Sequence, residues 1–192
     1  MQGYGPNVGW PELAEACVAV RGGALWVATN GDRTLPSARG PLPGNGSLVA
    51  ALATALDRQP DHIVGKPAPA LFERAAQRAG ARRPLVVGDR LDTDIEGAVR
   101  AGMDSLLVLT GVTKPADLLV APPDRRPTHI GEDLAALFTV DGGAEGWQLR
   151  HRDGRWELAG AGTPIGALKA LCAAAWAGSA PTAALEELAQ LQ

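Results

Sequence analysis

The feature that most constrains this chain is Pro84-Leu-Val-Val-Gly-Asp-Arg-Leu-Asp-Thr-Asp-Ile95, a short apolar run that breaks at Gly88 and then places Asp89, Asp92 and Asp94 within six positions. Such a run reads as a buried parallel strand, and carboxylates at its exit stand where open α/β sheets hold their ligands. Upstream, Ile63-Val-Gly-Lys66-Pro67 repeats the design with a cation at the exit. A lysine and a carboxylate cluster at neighbouring strand ends make a phosphate-plus-magnesium site, because Mg²⁺ takes few protein carboxylates and shares the phosphate oxygens of its substrate.

Around these two segments, strands and helices alternate. Residues 10–21 carry Leu13, Cys17 and Val20 at helical spacing, with Pro11 in the first turn, and predict a helix ending before Gly22-Gly23. Leu25–Asn30 reads as a buried strand. Residues 31–46, with four glycines and three prolines, read as a long ordered loop, and long loops at strand ends are commonly functional. Helices follow at 47–56, 69–79, 94–101, 114–120 and 132–138, and strands at 62–65, 85–88, 105–110 and 128–130. This order predicts a parallel sheet with right-handed crossovers. After Phe138 the style changes: Trp147–His151 and Trp156–Ala159 flank Asp153-Gly154 as a hairpin, and 164–177 form an amphipathic helix. This tail is expected to be a small α+β appendage packed on the main domain or on a partner.

The composition narrows the partners. A net charge of −3, with arginines scattered rather than striped, leaves no basic face for nucleic acid. The start, Met1-Gln-Gly-Tyr-Gly-Pro, lacks the basic and apolar regions of a signal peptide, and no apolar run approaches the roughly 20 residues of a membrane span. A cytoplasmic location without membrane contact is therefore expected. Cys17 and Cys172 have no second thiol at metal spacing and read as small core residues. The three histidines read as structural, and the five tryptophans as core and tail packing rather than a sugar platform.

Thr29-Asn-Gly-Asp32, Pro43-Gly-Asn-Gly-Ser47, Gly65-Lys-Pro67, Gly88–Ile95 and Leu109-Thr-Gly-Val112 occur in an order and spacing that resembles the haloacid dehalogenase-like phosphatases. The subclass is the one that includes para-nitrophenyl phosphatases, pyridoxal phosphatases and the nucleotide phosphatase of the N-acetylglucosamine operon. The resemblance covers roughly residues 3–138. It implies an α/β fold: residues 1–60 as the remnant of an α/β cap, 61–138 as the C-terminal half of a Rossmann-like core, and 139–192 as a hairpin-plus-helix extension. It also implies a Mg²⁺-dependent phosphomonoesterase for small phosphorylated metabolites, acting through an aspartyl-phosphate. In that family the nucleophile lies in an Asp-x-Asp-Gly motif after the first core strand. The only Asp-x-Asp here, Asp92-Thr-Asp94, does not end a strand and is followed by Ile95-Glu96, so it is rejected as a displaced nucleophile. The chain accordingly reads as a phosphatase fragment, inactive alone. The alternative is a noncatalytic domain that binds a partner, or that complements a separate chain carrying the nucleophile; a homodimer through the cap is the other association considered.

The resemblance assigns roles residue by residue, each beside a plainer one. Asp89 is carried over as a direct Mg²⁺ ligand, although an aspartate after a strand also caps helices. Asp94 joins the metal set from behind, holding a metal-bound water or orienting Lys66, and equally caps the helix it begins. Asp92 is a solvated loop acid. Lys66 is the catalytic cation, neutralising phosphate and nucleophile together, where a lysine before proline is otherwise simply exposed. Thr29, Asn30 and Asp32, with Lys66, are the substrate-binding candidates, while Asn-Gly-Asp is equally ordinary turn chemistry. The histidine that pyridoxal phosphatases carry after this motif corresponds to Leu35, which weakens that substrate.

Overall fold

Proline and glycine set where most elements start and stop. In the computed structural model, which describes residues 1–139, 142–144 and 146–181, helix α1 (Trp10–Arg21) opens behind Gly9, whose N–H donates to Glu12 Oε2 at 2.8 Å, and stops at Gly22. There follow β1 (Val27–Ala28), a hairpin of β2 (Thr34–Leu35) and β3 (Leu42–Pro43), α2 (Asn45–Leu56), β4 (His62–Ile63) and α3 (Ala70–Ala79). Next come β5 (Leu85–Gly88), a π-helical turn (Leu91–Ile95), α4 (Glu96–Arg100), β6 (Asp104–Val108), α5 (Pro115–Leu119) and β7 (His129–Gly131). The hairpin β8 (Gln148–Arg152) and β9 (Arg155–Ala159) and the helix α6 (Pro164–Trp176) complete the order. The chain divides into two compact units, Met1–Ala81 and Arg82–Gln192.

In the first unit β1 and β4 pair in parallel, Val27 opposite His62 and Ala28 opposite Ile63. Gln2 adds a parallel bridge to Ala28, and Trp26 Nε1 donates to Gln2 Oε1 at 2.8 Å. The core beneath is Val20, Trp26, Ala28, Val49, Leu52 and Ala53, with Leu13 and Cys17 packed against it. In the second unit β5-β6-β7 form a parallel sheet, with Val87 opposite Leu106 and Leu107 opposite Ile130. These findings give the α/β class with parallel sheets that the alternation predicts. No helix among the described residues is long and apolar enough to cross a membrane.

Several elements differ from expectation, each for a local reason. The stretch 31–46 contains the β2–β3 hairpin: a two-stranded ribbon leaves the N–H side of a strand open, so Pro36, Pro41 and Pro43 cost it no ladder bond that a central strand would need. The helix predicted from Asp94 is preceded by a π turn in which both Asp94 N–H and Ile95 N–H donate to Arg90 O at 3.1 Å. The segment 134–138 winds as a 3₁₀ helix started by Asp133, whose side chain accepts from Ala135 N–H. Lys66 and Asp89 do not leave hydrogen-bonded neighbours, since β4 pairs with β1 and β5 with β6. Trp10, expected to pack, is 80% exposed on α1.

The tail is part of the second core rather than an attachment to it. Leu168, Leu171 and Cys172 of α6 share one buried cluster with Ile95, Leu107, Leu118 and Ile130. Trp176 Nε1 donates to Leu118 O at 2.8 Å, and the Arg126 guanidinium lies 5.6 Å from the Trp176 ring while donating to Trp176 O. Burial in this apolar packing pushes the Cys172 thiol up to about 12, which keeps it protonated and unreactive. The extension's residues 140, 141, 145 and 182–192 lie outside the described residues.

Candidate functional site

In the first unit, the exits of β1 and β4 bring Thr29–Asp32 and Gly65–Lys66 together. Glycine makes this possible: a side chain on Gly65 would begin 2.2 Å from Thr29 O and 3.0 Å from Asn30 Cβ. The turn is gripped from its other side by the start of α2, where a Cβ on Gly46 would lie 2.2 Å from Gly31 O and one on Gly44 would lie 2.4 Å from Asp32 O. Between those glycines sits Asn45, fully buried. Its Nδ2 donates to Asn30 O at 2.9 Å and reaches Thr29 Oγ1 at 3.5 Å, while Gly46 N–H donates to Asp32 O at 2.8 Å. Asn30 Oδ1 accepts from Asp32 N–H at 3.3 Å, an Asx turn that points Asn30 inward to its own backbone. Thr29, Asn30, Asp32 and Lys66 are each half-buried.

In the second unit the exits of β5 and β6 meet at a carboxylate corner. Asp94 is 5% exposed and its Oδ2 accepts from the N–H groups of Asp89 (3.3 Å) and Arg90 (3.1 Å). Asp89 reaches to the turn after β6: its Oδ2 accepts from Val112 N–H at 2.9 Å and its carbonyl from Thr113 N–H at 3.1 Å. Asp92 points elsewhere, in a two-point pair with Arg90 (3.0 and 2.8 Å) that holds its carboxyl below the usual carboxylate range. That is the solvated loop acid of the sequence reading. Glu96, 4% exposed, is clamped by Arg100 and by Arg125 and braces the helix behind the corner.

Among the described residues no three His, Cys, Asp or Glu side chains converge on one point. The corner nevertheless suits a hard cation: two aspartates with oxygen donors only, one of them spending a single carboxylate oxygen on the protein, match an ion that takes one or two carboxylates and keeps its waters. Soft-metal chemistry has no donors here. A cavity of about 600 Å³ along β7, lined by His129, Glu132, Asp133 and Lys169 among others, contains none of these residues. The sequence reading missed Asn45, Gly111 and Val112 as site-building residues. The signal that could have found them was present: Pro43–Ser47 and Leu109–Val112 were recognised as motifs without a side chain being assigned in either.

Comparison with known proteins follows the same lines. Residues 63–137 match the HAD-hydrolase-like family model. A D-glycerol 3-phosphate phosphatase of Mycobacterium tuberculosis is 59% identical over 137 residues, covering 71% of this chain and 38% of that protein. A 5′-nucleotidase of Bacillus subtilis is 40% identical over 134 residues, covering 69% and 51%. The crystal structure of the glycerol phosphate phosphatase of M. tuberculosis in complex with magnesium superposes with a TM-score of 0.84 at 48% identity, over 94% of this chain and 56% of that one. The chain is thus a relative of the haloacid dehalogenase-like phosphatases, as its motifs implied. Within that class its similarity is to the glycerol phosphate and nitrophenyl phosphatase subclass, and it spans about half the length of the relatives it matches.

Proposed function

We propose that this chain carries the lysine and metal portions of a Mg²⁺-dependent phosphomonoesterase for small phosphorylated metabolites. The observation that carries the reading is the Asp89–Asp94 corner, two hard oxygen donors at the exit of β5, one of them held by the turn after the adjacent parallel strand β6. Asp89 and Asp94 would hold Mg²⁺, which when bound offsets charge on the phosphate oxygens. Lys66 binds the phosphoryl group as a fixed cation, and Thr29, Asn30 and Asp32 read the leaving alcohol. A turn gripped on both faces supports selection of a small hydroxylated alcohol, and the similarity to glycerol phosphate phosphatases supports a three-carbon one. The 192 residues contain no Asp-x-Asp-Gly. We therefore assign the phosphoryl acceptor to a segment outside them, within a longer chain or supplied in trans.

The test is hydrolysis of glycerol 3-phosphate with Mg²⁺, by the chain alone and mixed with a segment bearing Asp-x-Asp-Gly from a relative. The chain alone is expected to match its Lys66→Ala variant. The mixture should turn over and lose about 10²–10³-fold with Asp89→Asn or Lys66→Ala, the usual cost of removing one charge-stabilising group. Turnover of about 1–10³ per second by the chain alone would overturn the assignment of the missing nucleophile.

A further inference from the structure

Gly88 and Gly111 stand apart from most other glycines of the chain. Nine glycines adopt positive φ, from Gly23 to Gly178, and the backbone explains them. Gly88 and Gly111 do not, so conformational freedom does not account for either. Space does. A Cβ on Gly111 would lie 1.9 Å from Asp89 Oδ2, 2.4 Å from its Cγ and 2.6 Å from its Cβ, and one on Gly88 would lie 2.3 Å from both Cβ and Cγ of Asp94. Each carboxylate of the corner therefore rests on a bare Cα.

We infer that Gly111 is a positioning residue: it is the seat that lets Asp89 fold down onto the turn after β6, where Val112 N–H takes Oδ2 and leaves the other carboxylate oxygen for a cation. This rests on the metal reading above for its consequence, but not for its geometry. Two contacts on one side chain, a hydrogen bond at 2.9 Å and a van der Waals seat, determine the direction in which the carboxylate faces. A methyl group at position 111 cannot be absorbed by a flexible neighbour, because the colliding atoms include Asp89 Cβ, which the strand end fixes. Asp89 must swing off Val112, and the donor set for a hard cation loses its orientation.

The experiment uses the ¹⁵N-labelled chain with Mg²⁺ alone as the probe. In Gly111→Ala the Val112 amide should lose its hydrogen-bonded chemical shift, and Mg²⁺-induced shifts at Asp89, Val112 and Thr113 should require at least tenfold more MgCl₂. Because that variant can also weaken folding, Asp89→Gly/Gly111→Ala is the second arm: removing the side chain that collides should restore the thermal midpoint lost in Gly111→Ala. An unchanged Val112 shift in Gly111→Ala, or additive midpoint losses in the double variant, would overturn the seat. A wild-type chain with no Mg²⁺-induced shift at Asp89 overturns the metal reading, and the seat is then decided by the Val112 shift and the double variant.

Discussion

The Thr29–Asp32 turn and the Asp89–Asp94 corner are both strand exits pressed onto glycine, yet they are held through opposite halves of the peptide group. In the turn, the gripped groups are carbonyls: Asn45 Nδ2 and Gly46 N–H donate to Asn30 O and Asp32 O. In the corner, the gripped groups are carboxylates, and backbone N–H groups of Asp89, Arg90 and Val112 do the holding. In the first arrangement the gripping contacts join neutral N–H and carbonyl groups, although the turn that they hold carries the Asp32 carboxylate. The second sets carboxylate oxygens against backbone N–H groups, and Asp89 gives one of its two oxygens to Val112 N–H.

The largest expected effect comes from placing a charge on the buried side chain that grips the turn. Asn45→Asp keeps the volume of a fully buried side chain but replaces the donor facing Asn30 O with a carboxylate oxygen. An uncompensated buried charge costs about 3–5 kcal/mol. The denaturation midpoint should fall accordingly, with faster amide exchange in β1 and α2. If Asn45→Asp is as stable as the parent, the turn is not held by the Asn45 donor.

A second prediction concerns the support beneath the corner. Leu171 of α6 is 1% exposed and packs in the cluster that includes Ile95, the residue following Asp94. Leu171→Ala should cost about 3 kcal/mol, the middle of the range for a leucine cavity in a core. Urea denaturation measures it. A loss under about 1 kcal/mol would show that the tail is a removable layer, whereas the expected loss makes it a structural condition for the corner.

Those predictions bear on what could be read in advance. Where a signal is local, the sequence sufficed: Pro11 and Gly22 bound α1, Leu85–Gly88 is a strand with the expected limits, and Asp153-Gly154 turns the β8–β9 hairpin with both residues at positive φ. That Asp89 and Asp94 meet at the exit of β5 was legible because the strand closes at Gly88 immediately before them. What failed was the part decided by packing at a distance. That the α6 helix completes the core built by Ile95, Leu107, Leu118 and Ile130 depends on which strand face lacks cover, and no periodicity within 164–176 records it. Asn45 fell within the stretch read as a loop, and its burial against Asn30 appears only once β1 and α2 are placed. The β2–β3 hairpin was hidden by its prolines, which argue against strands except in a ribbon with an open edge.

The smallest expected effect is at Asp92, the loop carboxylate paired with Arg90. Asp92 is held low first by its hydrogen bonds to Arg90, against the raising effect of partial burial, and its side chain is 49% exposed. A carboxyl depressed in the folded state contributes stability that is present above its unfolded value, near 3.9, and is lost as pH falls through the folded value. Stability of the parent should therefore decline on acidification below about pH 4 slightly more steeply than that of Asp92→Asn, which cannot lose the pair. At neutral pH the two should differ little, as exposed ion pairs do, and high salt should narrow the difference further. Thermal midpoints across pH 2.5–7 at low and high salt measure this. Parallel curves would mean that the Arg90–Asp92 pair contributes nothing measurable to folding stability.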